Sequence, residues 1–375
     1  MKNKDIKTRH TCKSLAAKIC AIAAVFGAAF FSGCAKGSTR QTEKISIVCT
    51  TFPQYDWVRN IISGSESKFS VALLMSKGTD LHNYQPTAQD MVRIASSDLF
   101  IHVGGESDVW VKDCLSEATN KNMIVINLLE TLGSGAKLEE TIEGMQDEHD
   151  HHHHGEDCDE DCAEEHEHEA HHHDDEDEHE HSHNEEHSDQ ARHNHSGEHN
   201  DEHVWLSLRN AEIFVHSIAD AVCSLDSADE AAFRANEAAY IAQLKALDSR
   251  YAQTVGSAKR RTLLFGDRFP FRYLVDDYGL EYFAAFSGCS AESEASFETI
   301  AFLAGKVSEL ELPVVLTIEK SDQKIARSII ANAGKSAEVV ALDSMQSVTS
   351  KDIEAGASYI EIMAKNLEAL QQALY

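Results

Sequence analysis

Eighteen of the chain's 22 histidines lie between Asp147 and His203, among 24 of its 63 acidic residues and a single basic one, Arg192. This stretch therefore carries about 23 of the 30 net negative charges. Imidazole and carboxylate are ligands that borderline divalent ions accept, and at neutral pH most imidazoles are unprotonated and free to coordinate. The runs His151 to His154 and His171 to His173, and the His-Glu alternation from His166 to Glu169 and from His179 to His183, contain almost no apolar residues. Nothing in them offsets the entropy of ordering the chain, so the segment reads as an acidic metal collector; a solvated acidic tract with incidental histidine is the plainer alternative.

The elements that would position a discrete site lie on either side. Short apolar runs recur at Ile45 to Thr51, Ser70 to Met75, Leu99 to Gly104 and Met123 to Leu128, and again at Thr262 to Phe265, Leu280 to Phe286, Val314 to Glu319 and Glu338 to Asp343. In the first half each is followed by a polar turn or a helical pattern such as Gln89 to Ser96, which predicts βαβ units and two α/β lobes with mainly parallel sheets. Between the two sets, Ser227 to Val255 has no proline or glycine and places Tyr240, Leu244, Leu247 and Tyr251 on one stripe. A helix of that length reaches about 44 Å, enough to join both lobes; Ser227 with Glu230 offers a capping box and Gly256 a stop.

The predicted organisation is a signal over 1–33, a tether over 34–44, an N-terminal lobe over 45–226 interrupted by the His/Asp/Glu-rich insert at 147–200, a linker helix over 227–256 and a C-terminal lobe over 257–375. Lys2, Lys4, Lys7, Arg9 and Lys13 precede an apolar run of 13 residues, Ile19 to Phe31, an export signal too short for a comfortable permanent span. Phe31-Ser32-Gly33-Cys34 resembles a bacterial lipoprotein cleavage box, which would leave Cys34 acylated and the protein anchored to the outer face of the cytoplasmic membrane. Of the other cysteines, Cys12 and Cys20 leave with the signal, and Cys158 and Cys162 suit metal binding or a local disulfide. Cys49, Cys114, Cys223 and Cys289 read first as small buried hydrophobes and second as disulfide partners.

In a two-lobed α/β protein the chemistry belongs in the crevice at the strand ends. Gly78-Thr79-Asp80-Leu81-His82-Asn83-Tyr84-Gln85-Pro86-Thr87 is a polar turn there, and Asp201-Glu202-His203-Val204-Trp205-Leu206-Ser207 puts a second histidine just before a helix. The first resembles the first-ligand loop of the substrate-binding lipoproteins of zinc and manganese ABC transporters, and Glu202 to Ser207 their second-ligand motif. Thr50-Thr51-Phe52-Pro53, Asn236 to Leu247, Tyr278-Gly279-Leu280 and Tyr359 to Leu367 extend the resemblance across roughly residues 45 to 375.

The resemblance implies two lobes joined by a rigid helix, one metal ion between them, and delivery to an ABC permease with its ATPase; zinc-type members carry a His-rich acidic insert in this place. Carried over, His82 and His203 are the N-lobe ligands. The third position falls in Phe265-Gly266-Asp267-Arg268-Phe269-Pro270-Phe271: counting from the strand gives Asp267, whereas counting back from Tyr278-Gly279-Leu280 gives Arg268, which cannot ligate. Asp267 is adopted, with Pro270 in a one-residue insertion. Asp343 matches the late acidic ligand, with a helix N-cap before Met345 as its alternative reading. Glu281, Glu294 and Glu319 are read as supporting residues, His102 as a satisfied core histidine and His216 as packing or surface.

Two histidines and two aspartates suit tetrahedral Zn²⁺, while bidentate carboxylates would suit Mn²⁺; the insert favours zinc. The expectation is a monomeric, lipid-anchored zinc receptor, with a manganese receptor, or a surface metal buffer or adhesin, as alternatives. No His-Glu-x-x-His helix, Gly-rich phosphate loop or nucleophile elbow is present, so no enzyme is expected, and the net charge of −30 opposes nucleic-acid binding.

Overall fold

All eight apolar runs form strands. In the computed structural model, which describes residues 44–146, 199–290 and 294–375, they are β1 (Ile45–Cys49), β2 (Phe69–Leu73), β3 (Leu99–His102), β4 (Ile124–Asn127), β5 (Thr262–Phe269), β6 (Glu281–Ser287), β7 (Val314–Ile318) and β8 (Glu338–Leu342). The expected signal, Cys34, Cys158, Cys162 and nearly all of the insert lie outside the described residues. No described helix is long and apolar enough to cross a membrane.

The strands make two four-stranded sheets, ordered β2-β1-β3-β4 and β6-β5-β7-β8, with every pairing parallel. Ile47, Val48, Phe100, Phe265 and Leu316 are fully buried, as strands covered on both faces require. In each sheet the strand order reverses beside the first strand in sequence, and such a switch point opens a crevice at the carboxyl ends of the strands. The two crevices contain the loops that carry the candidate residues.

The helix Glu230–Gly256 buries Phe233, Glu237, Tyr240, Leu244, Leu247 and Tyr251, a stripe with alternating steps of three and four. Near its start Asn236 donates to the carbonyls of Ile61 and Ser63. Near its end Tyr251 stacks on Tyr278 and donates to Met363 O at 2.6 Å. It therefore touches elements of both lobes, as a strut would. Its predicted ends differ in detail: Ser227–Asp229 is a 3-10 turn and Asp229, without a side-chain cap, precedes the helix, because its carboxylate is already engaged by Ser65 and Lys68. Gly256 is the last helical residue rather than a stop.

One continuous core runs through both lobes, joining Ile47 and Phe100 of the first sheet, Leu244 of the strut, Phe265 and Leu316 of the second sheet, and Leu370 of the final helix, Tyr359–Leu374. A second cluster, including Leu264, Leu303, Val315 and Ile329, lies on the other face of the C-lobe sheet. Cys49, Cys114 and Cys223 are free and buried, the first of the two readings.

Candidate metal centre

His82 is presented by a single 3-10 turn, Leu81–Asn83, in the loop after β2. Leu81 anchors the turn in the core, and Asp80 Oδ1 accepts from the His82 amide at 3.0 Å. The ring's Nδ1 lies 2.8 Å from Ser107 Oγ and 3.7 Å from Glu202 Oε2, which leaves Nε2 facing the cleft. Burial, then the charge on His203, pushes the His82 pKa down to about 4. Its lone pair is therefore available to a metal at neutral pH.

His203 is fully buried where the chain re-enters the described fold. Asp201 Oδ1 accepts from its amide at 2.8 Å and lies 3.0 Å from its Nδ1, so the ring carries its proton on Nδ1 and aims Nε2 at His82. Burial opposes charge on this ring, but the Asp201 carboxylate, with Glu202 and Asp80 beyond it, moves its pKa above the ordinary histidine value. Trp205, two residues on, donates to Ser344 O at 2.9 Å and fixes the motif against the loop after β8.

The two Nε2 atoms are 3.3 Å apart. Two nitrogens each about 2.0–2.1 Å from a tetrahedral ion are separated by roughly 3.3 Å. Asp201 backs His203, the arrangement that orients a metal-bound histidine and raises its basicity, whereas His82 Nδ1 rests on Ser107 Oγ with the Glu202 carboxylate 3.7 Å away.

The sequence-predicted acids of the C-lobe are placed elsewhere in the cleft. β5 continues to Phe269, with a register irregularity between Phe265 and Arg268 in its pairing with β6. Asp267 accepts from Ser321 Oγ and from the Arg268 amide, in a cavity of about 400 Å³ also lined by Asp80, Arg268, Glu319 and Lys320. Arg268, the other counting of the motif, reaches across to Asp80 Oδ2 at 2.8 Å. Asp343 caps the turn after β8, accepting from the Met345 amide at 2.7 Å; burial, then the neighbouring Glu319 carboxylate, raises its pKa to about 6. Neither aspartate joins the histidine pair in this arrangement.

The side chain that does is Cys289. Its Sγ and one nitrogen of each of His82 and His203 lie within 4.8 Å of one another. Burial, then the carboxylates of Glu139, Asp201 and Glu202, pushes its thiol pKa up. Gln346 also reaches the pair, its Nε2 3.3 Å from His203 Nε2 and its buried Oε1 without a hydrogen-bond partner among the described residues. A cysteine directly after a strand end, preceded by glycine, is the signal that would have set Cys289 apart from the structural cysteines. His102 is satisfied by Asp108 at 3.1 Å and His216 pairs with Glu237 at 2.6 Å, as read.

The described residues that flank the insert are paired close to this centre. Leu138 and Asn200 form an antiparallel bridge, the Glu139 amide donates to His199 O, and the Asp201 amide donates to Lys137 O. This stem ends two residues from His203.

Two parallel α/β lobes, a strut helix and paired histidines in the crevice define a two-lobed solute-binding protein. More specifically, the chain belongs to the ZnuA family, described as zinc-uptake complex component A, periplasmic, whose profile matches residues 47–373. It is 29% identical over 329 residues to the zinc-binding lipoprotein AdcA of Streptococcus pneumoniae serotype 4, covering 88% of this chain but 56% of that protein. It is 26% identical over 348 residues to the high-affinity zinc uptake system protein ZnuA of Bacillus subtilis, covering 92% of this chain and 93% of that one. The crystal structure of the Zn(II)-bound ZnuA-like domain of S. pneumoniae AdcA superposes with a TM-score of 0.60 at 26% identity, covering 88% of this chain and 99% of the domain. The chain thus spans little more than half the length of the streptococcal relative.

Proposed function

We propose that this protein is an extracytoplasmic receptor that captures Zn²⁺ between its lobes and delivers it to an ABC permease driven by its ATPase. The observation that carries the reading is the 3.3 Å approach of His82 Nε2 to His203 Nε2, with Ser107 behind the first ring and Asp201 behind the second. Two imidazole nitrogens so placed bind zinc in preference to manganese, which favours oxygen ligands. In this reading Cys34 carries a lipid that tethers a monomeric receptor to the membrane, and the insert collects ions for the cleft. The lipoprotein named among the relatives supports the anchor.

His82 and His203 are the N-lobe ligands; Asp267 and Asp343 are the C-lobe ligands suggested by the sequence motifs. A chelator-competition titration of the full chain tests the site: it should resolve one zinc ion bound far more tightly than the rest, and His82→Ala or His203→Ala should abolish that component. Retention of the tight component in both variants would refute the cleft as the capture site. Measured zinc uptake with and without the gene separates a transport receptor from a surface buffer.

A further inference from the structure

We propose that Cys289 Sγ is the C-lobe ligand of the captured ion, making the cargo site a bis-histidine thiolate centre; this rests on the cleft being the capture site. The two Nε2 atoms already define one edge of a tetrahedron about an ion at zinc–nitrogen distances. The sulfur is within 4.8 Å of both rings' ligand atoms, whereas a tetrahedral N–Zn–S edge is about 3.6 Å. A displacement of no more than about an ångström completes the geometry.

The surrounding chain is built to put the sulfur there. Cys289 lies in the turn directly after β6, at the carboxyl end of the sheet. Gly288 brings that turn against the histidine: a Cβ at this position would sit 3.3 Å from His203 Cε1 and 2.8 Å from Phe269 O, so a larger residue would push the turn off. The Cys289 amide donates to Glu139 Oε1 at 2.9 Å, pinning the turn to the stem that leads to His203. The other described free cysteines, Cys49, Cys114 and Cys223, lie buried in the core and are not part of this cluster.

Binding exchanges the S–H bond for an S–metal bond and releases one proton to solvent, with no change of oxidation state. A thiolate alters what the cleft selects. Sulfur is a soft donor that suits zinc and disfavours manganese, so Cys289 gives discrimination that two carboxylates would not. Because the histidines come from one lobe and the sulfur from the other, the ion itself joins the lobes.

Cobalt(II) reports the ligand directly, since thiolate coordination produces an intense sulfur-to-metal charge-transfer band in the near ultraviolet. The full chain should carry Cys158→Ser and Cys162→Ser, so that insert thiols contribute nothing. Its first equivalent of Co²⁺ should show the band, and adding Cys289→Ser should remove it and weaken the tight zinc component at least about 10-fold. Cys289→His should lose the band yet keep tight zinc binding, which guards against a loss through misfolding. If the Cys289→Ser chain keeps the band or binds zinc as tightly as its parent, while His82→Ala does not, Cys289 is no ligand and the cleft reading survives. If the tight component survives His82→Ala and His203→Ala as well, the cleft reading itself falls.

Discussion

Arg268 Nη2 lies 2.8 Å from Asp80 Oδ2, tying β5 of the C-lobe to the loop that presents His82 in the N-lobe. Both side chains are largely shielded, at 18% and 17% exposure, so the pair is less screened than a surface ion pair. Burial alone would raise the Asp80 pKa, but the Arg268 and His82 charges outweigh it and hold the carboxyl below its usual value.

Arg268→Met should therefore loosen the first-ligand loop. We expect backbone amide exchange at His82 and Asn83 to rise by about 10-fold in the metal-free protein, with little change at β3. Exchange rates equal to the parent's would show that the turn around Leu81 holds itself.

On the proposed reading, Asp201 acts on the captured ion through His203, whose Nδ1 lies 3.0 Å from its Oδ1. Asp201→Asn keeps the size of the side chain and an oxygen for the His203 amide, but removes the charge behind the imidazole. Zinc affinity in chelator competition should fall by about 10-fold to 100-fold with the fold unchanged by circular dichroism. An unaltered affinity would mean that orientation of His203, not the charge behind it, is what matters.

Asp343 gives a prediction in pH. Its folded pKa of about 6 stands above the ordinary aspartate value of about 3.9, so the folded state holds the proton more tightly than the unfolded one. The stability that this contributes is present below about pH 4 and is lost as pH rises through about 6. Asp343→Asn should raise the melting temperature of the metal-free protein by a few degrees at pH 7.5, and the gain should vanish at pH 4. If Asp343 also ligates the ion, the same variant will bind zinc more weakly, so stability and affinity would move in opposite directions. A variant less stable than its parent at pH 7.5 would contradict the strained carboxylate pair with Glu319.

Replacing residues 147–198 by a short Gly/Ser linker, with His199 and the bridging Asn200 left in place, should lower zinc stoichiometry and keep one tight site. A preorganised cleft loses less entropy on binding than a free tract does. Loss of all tight binding would place the high-affinity site in the insert.

Much of this architecture was legible in the residues. Eight apolar runs became eight strands because a sheet buried on both faces needs uninterrupted apolar sequence, and the strut was marked by its alternating three- and four-residue spacing. His82 and His203 stand out because each sits in a polar motif at a strand or helix boundary, and the fold brings their rings together. The C-lobe side was harder. β5 was expected to stop at Phe265, yet its backbone runs on to Phe269 through an irregular register, and that continuation turns Asp267 towards Ser321 and Arg268 towards Asp80. No local pattern encodes such a continuation. Cys289 was passed over because a cysteine beside apolar sequence looks the same whether it fills a core or faces a metal; only the fold brings it beside residues 86 and 207 positions away in the chain.

The Leu138–Asn200 bridge makes the His-rich tract an exchangeable part. Since the bridge fixes the separation of Leu138 and Asn200, doubling the length of sequence between them costs only about 0.6 kcal/mol of closure entropy. Histidines can be gained or lost there in large blocks while the cleft keeps its geometry. On the proposed reading, storage capacity and capture affinity are thereby separate quantities, open to selection or engineering one at a time.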